Sequence, residues 1–239
     1  MRYVCVALLV AGCGSRAMAF RQPDAALKPL ARPRAQRYIG RMMKLYFSNG
    51  SCSLASHIAL EEAGARFEAQ RVNLREGEQR KPEYLAVNPK GKVPALDLDG
   101  GAVLTENPAI ISYVADTHPQ AGLLAAPGEL ARARAQEWLA WCASTVHRDF
   151  SPLFREPSNV EQKKLVQSHL DQFEAWLGGP YVLGDRFSAA DCYTLVFTLW
   201  APRFGLTLGS KTRAAAKQLL ERPAVQRAVT TQQLKFEQL

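Results

Sequence analysis

The predicted order of strands and helices changes once along the chain, and this change restricts the possible folds more than any other feature. Between residues 43 and 118, short apolar runs bounded by turn residues alternate with segments of helical periodicity. Beyond Pro119 no further strand-like run follows, and apolar residues recur at helical spacing. The sequence therefore predicts a mixed α/β domain over residues 43–122 and an all-helical domain over residues 128–239.

The first domain is predicted to have the order βαβαββα. The segment Asp99-Gly100-Gly101 is a strong hairpin signal, and Pro82 suits the first turn of a helix, where its missing N–H costs nothing. Ser51 or Ser53 is expected to cap the first helix. This order of elements is that of the thioredoxin fold. The predicted strands cover residues 44–47, 68–74, 93–98 and 102–104, and the predicted helices cover residues 51–64, 82–87 and 107–116.

The second domain is predicted to contain five helices separated by proline and glycine residues. Ser188 and Asp191 form an S-x-x-D capping box ahead of an apolar run, so Asp191 is expected to be a structural residue and not a catalytic acid. Trp138 and Trp141 are expected to be packing residues. The predicted helices cover residues 129–148, 158–177, 188–204, 211–221 and 223–233.

Residues 1–42 are not expected to belong to either domain. Of the 30 basic and 22 acidic residues in the chain, this segment holds eight bases and one acid, so residues 43–239 are nearly neutral. It begins with Met1-Arg2, an apolar run and a small-residue site at 17–19, as a signal peptide does, and continues with the composition of a transit peptide. We therefore predict a targeting presequence, and its charge is no evidence for binding to nucleic acid.

Three interpretations fit this segment. It resembles the bipartite presequences of algae whose plastids lie inside secretory membranes, which predicts a plastid or another organelle as the location. Residues 10–13 resemble the cleavage box of a bacterial lipoprotein. Alternatively, translation begins at Met42 or Met43, and the protein is cytoplasmic. In all three cases the segment lies outside the fold, and no membrane partner is expected once it is removed.

The cysteines argue against a disulfide framework and against a structural metal. The chain has five of them, widely spaced, with no C-x-x-C pair and no Cys/His cluster at zinc spacing. Cys52 has a distinctive position at the amino end of the first predicted helix, where unpaired N–H groups and the helix dipole lower the pKa of a thiol. A thiolate there could attack a disulfide. The alternative is a small buried residue with no chemical role.

A second helix start lies at Glu106-Asn107. Asn107 is predicted to be the N-cap, with Pro108 as the first helical residue. Helix amino termini bind anions, because their first N–H groups have no partner within the helix. The segment is therefore a candidate site for a carboxylate.

Four segments resemble signatures of the glutathione transferases. Residues 43–58 are similar to the amino terminus of the bacterial-type beta class, and residues 88–96, 104–107 and 184–191 resemble three further signatures of the family. The resemblance extends over essentially all of the chain from residue 43. It implies a thioredoxin-like domain joined to an all-α domain, glutathione as the co-substrate, and a homodimer.

The resemblance also implies where the glutathione sulfur and cysteinyl backbone bind. Cys52 and Ser53 would lie beside the sulfur, and Cys52 could form a mixed disulfide with it. The Val93-Pro94 peptide bond would be cis, so that the Val93 backbone pairs with the cysteinyl backbone of glutathione like an added strand. The alternative is that Pro94 is only a strand-start proline.

For the other end of glutathione, the resemblance implies that Glu106 meets the ammonium group and Asn107 the γ-glutamyl carboxylate. His147 and Arg148 match the histidine–lysine pair that faces the thiol site in the beta class. Cys52 and His147 are therefore the predicted catalytic residues. The alternative for His147 is a solvated histidine on a helix, and no metal ligand is predicted.

Several positions depart from the beta-class pattern. Phe47 stands where tyrosine is common, Asn107 where serine or glycine is usual, and Ala140 where an asparagine often reaches glutathione in the partner subunit. The lysine after the second strand aligns with either Arg80 or Lys81. These changes weaken the case for efficient conjugation more than the case for glutathione binding.

The sequence therefore predicts a dimeric glutathione transferase. It would conjugate glutathione to small hydrophobic electrophiles, as in detoxification, or carry out glutathione-dependent redox exchange with a disulfide through Cys52. The alternative is a non-catalytic glutathione-transferase-like module that binds ligands or partner proteins.

Overall fold

The computed structural model describes residues 42–99 and 102–235. All of the predicted presequence except Met42 lies outside these residues, as do Gly100 and Gly101 of the predicted hairpin turn. The targeting function of the presequence therefore stays a prediction. Within the described ranges, no helix is both long enough and apolar enough to cross a membrane.

The first part of the structure is a four-stranded sheet with helices, in the predicted order βαβαββα. The strand order is β2-β1-β3-β4, with β1 parallel to β2, and β3 antiparallel to both β1 and β4. This topology confirms the thioredoxin-like fold. The strands are β1 (Met43–Phe47), β2 (Phe67–Arg71), β3 (Ala95–Asp97) and β4 (Val103–Thr105), and the helices are α1 (Ser53–Glu62), α2 (Pro82–Val87) and α3 (Asn107–Thr117).

Most of the strand and helix ends differ from the prediction; β3, for example, begins at Ala95 and not at residue 93. Two further differences have clear causes. Strand β2 ends at Arg71 and not at residue 74, because the chain turns away from β1 there. Helix α1 begins at Ser53, with Cys52 at its N-cap position, and no side chain caps it. The Ser53 hydroxyl instead donates to the Ser48 carbonyl at 3.3 Å and lies 2.7 Å from the Ser51 hydroxyl, so both serines stabilise the β1–α1 loop.

The second part is helical, and the five predicted helices are confirmed with shifted ends. The first of them contains a π-helical turn, Cys142–Val146, between α4 and α5. Every residue of α7 is buried, as expected for a helix that is enclosed on all sides. The helices are α4 (Leu130–Trp141), α5 (His147–Phe150), α6 (Val160–Trp176), α7 (Ala189–Trp200), α8 (Ser210–Leu220) and α9 (Pro223–Thr231).

Helix α1 joins the two parts. Its residues 53–60 are all buried, and it contacts β1 and α3 as well as α7 and α9. At the carboxyl end of α1, Glu62 forms a bidentate ion pair with Arg222, with N–O distances of 2.6 and 2.7 Å. The neighbouring Glu61 forms an ion pair with Arg227, with an N–O distance of 2.6 Å. These contacts fix the carboxyl end of α1 against the helical part.

A buried histidine lies in the same interface. The side chain of His57 is 1% exposed and packs between the rings of Phe47 and Phe67. Its Nδ1 lies 3.1 Å from Nε2 of Gln232, at the end of α9. Burial lowers the pKa of His57 from 6.5 to about 4, because the charged ring is poorly solvated there.

We expect His57 to make the folded state sensitive to acid. Between pH 6.5 and 4 the unfolded chain binds a proton that the folded chain does not, so the free energy of unfolding falls as the pH falls through this range. A shift of this size corresponds to a loss of about 3 kcal/mol. Urea denaturation of the wild type and of His57→Gln at several pH values measures it.

The difference between the two proteins isolates His57 from other titrating groups. Burial raises the pKa of Asp191 to about 6, which acts in the opposite sense over part of this range but is common to both proteins. The expected difference in unfolding free energy narrows as the pH falls from 6.5 to 4. If the difference in unfolding free energy stays constant from pH 6.5 to 4, His57 does not cause the sensitivity to acid.

Candidate active site

Cys52 lies at the junction of the β1–α1 loop and α1. The loop turns through Gly50, whose φ of 65° favours glycine, and Trp200 of α7 donates a hydrogen bond to the Gly50 carbonyl at 2.8 Å. The thiol of Cys52 is buried and donates to the Val93 carbonyl, with an Sγ–O distance of 3.6 Å. The Cys52 side chain and the Val93 carbonyl, which lies in the loop before β3, therefore face each other at the start of α1.

The prediction of a lowered thiol pKa at Cys52 is wrong. Burial raises the pKa to about 12, and a hydrogen bond with Asn107 and the charge of Lys92 only partly oppose this effect. The solvation lost by a buried thiolate outweighs the favourable field of the helix end. In the protein without ligand, the residue is therefore a thiol that donates to the Val93 carbonyl.

The Val93–Pro94 peptide bond is cis. The preceding loop is held by two hydrogen bonds to the Lys92 carbonyl, one from the Tyr84 hydroxyl at 2.6 Å and one from Nδ2 of Asn88 at 2.7 Å. The N–H of Val93 has no acceptor within residues 42–99 and 102–235. The loop therefore holds this N–H in place without pairing it to another group in the described part of the chain.

Glu106 has an unusual backbone conformation for a residue other than glycine, with φ 71° and ψ 123°. It occupies the N-cap position of α3, so the prediction that Asn107 is the N-cap is wrong and Asn107 is the first helical residue. The Glu106 side chain is 66% exposed and lies 3.3 Å from Nζ of Lys90, which also donates to the Thr105 hydroxyl. Backbone strain of this kind is concentrated at functional sites.

The side chain of Asn107 is buried and bound to protein groups. Its Nδ2 donates to the Cys52 carbonyl at 3.0 Å, and its Oδ1 accepts from the Ser56 hydroxyl at 2.6 Å. It therefore ties the start of α3 to the start of α1. Because the Asn107 side chain is already hydrogen-bonded to protein groups, the N–H groups of the first turn of α3 are the expected contact for a carboxylate.

His147 begins α5 directly after the π-helical turn, and turns of this type are frequent at functional sites. Its Nδ1 lies 2.9 Å from the Tyr193 hydroxyl, and its ring packs against Trp200 with the centroids 5.2 Å apart. Burial lowers the pKa of His147, and the nearby charges of Lys92 and Glu106 act on it in opposite senses. The His147 ring is therefore packed against Tyr193 and Trp200, within range of the charges of Lys92 and Glu106, and not in bulk solvent.

Two predicted site residues have their side chains elsewhere. The Arg148 guanidinium is 69% exposed and pairs with Asp149, with an Nε–Oδ1 distance of 2.8 Å. Successive residues of a helix point about 100° apart, so His147 and Arg148 face different directions. The Ser53 hydroxyl is fully buried in the β1–α1 loop. Among the described residues, neither side chain forms a hydrogen bond with the Cys52 thiol.

Tyr193 and Lys92 were not predicted as site residues. Tyr193 follows the capping-box aspartate by two positions on a mostly apolar helix, which gives no sign of a site role. Lys92 immediately precedes the cis peptide, and only this adjacency could have indicated it.

The structure also shows where the residues that depart from the beta-class pattern lie. Phe47 is buried, with its ring centroid 5.4 Å from that of His57, and Ala140 is exposed on α4. Lys81 pairs with Glu78 at 3.7 Å. Trp138 and Trp141 pack edge to face in an aromatic cluster with Phe173 and Trp176, which confirms their packing role. The described residues contain no group of His, Cys, Asp or Glu that could hold a metal.

The thioredoxin-like sheet, the helical second part and a thiol facing a cis-proline loop define a two-part protein of the glutathione-transferase type. Residues 50–117 match the family description "Glutathione S-transferase, N-terminal domain", and residues 142–224 match "Glutathione S-transferase, C-terminal domain". The chain belongs to the glutathione S-transferase family. The family predicted from the sequence is thereby confirmed.

Several bacterial proteins are similar to this chain over almost their whole length. Glutathione S-transferase GstA of Escherichia coli O157:H7 is 40% identical over 201 residues, which are 81% of this chain and 100% of the relative. A solved ternary complex of BphK, a bacterial GST, has a TM-score of 0.74 at 40% identity and covers 80% of this chain and 100% of its own. A Sulfitobacter glutathione transferase homologue with bound glutathione has a TM-score of 0.76 at 35% identity, covering 81% and 99%.

Proposed function

We propose that this protein is a glutathione transferase that conjugates glutathione to small electrophiles and also exchanges thiols with disulfides through Cys52. The observation that carries the proposal is the Cys52 thiol, 3.6 Å from the Val93 carbonyl, beside a cis peptide whose Val93 N–H is unpaired among the described residues. Bacterial relatives named as glutathione transferases, one with glutathione bound, support it.

In the proposed complex, the cysteinyl backbone of glutathione pairs with the N–H and C=O of Val93. The γ-glutamyl carboxylate binds at the N–H groups of the first turn of α3. The ammonium group meets Glu106 and takes the place of Lys90, which is 3.3 Å from that carboxylate in the free protein. The glutathione sulfur then lies near Cys52 and His147, and a hydrophobic electrophile or a disulfide approaches it from solvent.

The proposal also includes assembly as a homodimer and roles in detoxification and redox chemistry. These parts are supported by the family resemblance alone. Removal of residues 1–42 as a targeting presequence is supported by the sequence pattern alone.

Calorimetric titration of the full chain with glutathione tests the proposed site. Replacing Glu106 by Gln is expected to weaken binding about tenfold, because the ammonium group loses a charged hydrogen-bond partner. Glu161→Gln, at an exposed position on α6, which carries no predicted site residue, is the matched control and is expected to leave binding unchanged. Turnover with a panel of electrophiles and disulfides follows. A wild-type chain that neither binds glutathione nor is retained on immobilised glutathione would refute the proposal and favour the non-catalytic module.

A further inference from the structure

The Asn107 amide has a defined orientation, and it determines the direction of a hydrogen-bond network behind the Cys52 site. The Cys52 carbonyl can only accept, so the amide nitrogen of Asn107 must face it, at 3.0 Å. The amide oxygen then faces the Ser56 hydroxyl at 2.6 Å, which donates.

The Tyr193 hydroxyl has one acceptor within hydrogen-bond distance among the described residues, Nδ1 of His147 at 2.9 Å. A buried O–H group without an acceptor would cost free energy. The residue is buried, which raises the pKa of the phenol far above its usual range, so it remains protonated. Its proton is therefore directed to Nδ1 of His147.

We infer that Tyr193 is a positioning residue that holds the neutral His147 ring with its proton on Nε2. The ring accepts at Nδ1, so its remaining proton must be on Nε2, the nitrogen that Tyr193 does not contact. An Nε2–H group can donate to a sulfur anion in the site, whereas the other tautomer would present a lone pair to it. Tyr193 thus sets the donor character of His147 without contacting the substrate.

The effect of this arrangement on turnover rests on the proposed function, but the tautomer itself does not. The charged or titratable groups around the His147 ring are Tyr193, Lys92 and Glu106. Of these three, only Tyr193 forms a hydrogen bond with the ring in the described part of the chain.

Nitrogen-15 NMR of the imidazole rings in the full chain measures the tautomer directly. The chain has four histidines, and the His147 signals are those that disappear in His147→Gln. We expect the Nε2–H form at neutral pH in the wild type. A wild-type ring with its proton on Nδ1 would overturn the inference, and this measurement does not depend on whether any Tyr193 variant folds.

Kinetic comparison of Tyr193→Phe with the wild type adds a second measurement. We expect a mixture of tautomers, a loss of about tenfold in kcat/KM at pH 7, and a higher pKa of the His147 ring when the NMR signals are followed against pH. The pKa rises because the neutral ring loses the hydrogen bond that stabilised it, which makes protonation easier. Tyr46→Phe, which removes the hydroxyl of a half-buried tyrosine on β1, is expected to change none of these.

The two proposals fail in different ways. A wild-type chain without glutathione-dependent turnover refutes the proposed function, and the NMR measurement still decides the role of Tyr193. A Tyr193→Phe protein that turns over normally, with the wild-type tautomer and the wild-type pKa of the His147 ring, overturns the inference and leaves the proposed function intact.

Discussion

Replacing Cys52 with alanine is expected to abolish glutathione-dependent disulfide reduction. In the proposed exchange, the Cys52 thiol loses its proton and its sulfur attacks a disulfide, forming a mixed disulfide while the other thiolate leaves and takes up a proton. The glutathione thiolate then attacks the mixed disulfide, releases Cys52 and forms an oxidised glutathione product. Alanine has no sulfur to form this bond, so we expect a loss of about 1000-fold or more.

Conjugation should respond differently to the same change. There the attacking sulfur belongs to glutathione, so Cys52→Ala is expected to keep much of its activity with electrophiles. Because burial raises the pKa of Cys52 to about 12, exchange in the wild type should also accelerate with pH above neutrality as more thiolate forms.

Coupled assays of disulfide reduction and of electrophile conjugation, run on the same preparations, check both expectations. Cys192→Ala is the matched control, since Cys192 is also a buried free cysteine but lies within α7. It is expected to lose stability and to keep both activities. Disulfide turnover that is unchanged in Cys52→Ala would remove the residue from the mechanism.

The fold was largely predictable because its signals are local. The hairpin glycines, Pro82 and the change to helical spacing after Pro119 each act on a few neighbouring residues, and together they predict the observed order of elements. The end of β2 was misjudged because strand length depends on pairing with β1, which is a contact across the chain. The cap of α1 was misjudged because Ser53 forms its hydrogen bonds within the preceding loop.

The candidate site was only partly predictable because its contacts join distant segments. Cys52, Val93 and Glu106 occur in recognisable motifs, whereas Tyr193 meets His147 across 46 positions of the sequence. The π-helical turn before His147 changes which residues of the helix face the site, and no sequence pattern indicated it. Arg148 was assigned to the site because it matches the lysine of the beta-class pair, and the helix directs its side chain away.

The pKa of the Cys52 thiol also depends on one effect that the sequence indicates and on another that it does not. The field of a helix end can be inferred from where the helix starts, and that inference predicted a lowered value at Cys52. The burial that dominates it arises from helices and loops that converge on the residue from both parts of the structure. Sequence position therefore predicted the smaller of two opposing effects.

Replacing Asp191 with alanine is expected to lower the free energy of unfolding by about 3–5 kcal/mol. The side chain is 1% exposed, and its carboxylate accepts hydrogen bonds from the Val182 N–H at 2.9 Å, the Ser188 N–H at 2.8 Å and the Ser188 hydroxyl at 2.9 Å. Alanine would leave three buried donors unpaired at the start of α7, the helix that is enclosed along its whole length. A capping box alone would account for only about 1 kcal/mol.

Urea denaturation at pH 7 measures the loss, and two further variants show its origin. Asp191→Asn keeps one carbonyl acceptor and should lose less than Asp191→Ala, while Asp185→Asn, at an exposed position of the same loop, should stay close to the wild type. Since a whole domain is stabilised by about 5–15 kcal/mol, Asp191→Ala should also accumulate poorly in cells. An Asp191→Ala protein within about 1 kcal/mol of the wild type would show that the three donors find other partners, and that α7 does not depend on this carboxylate.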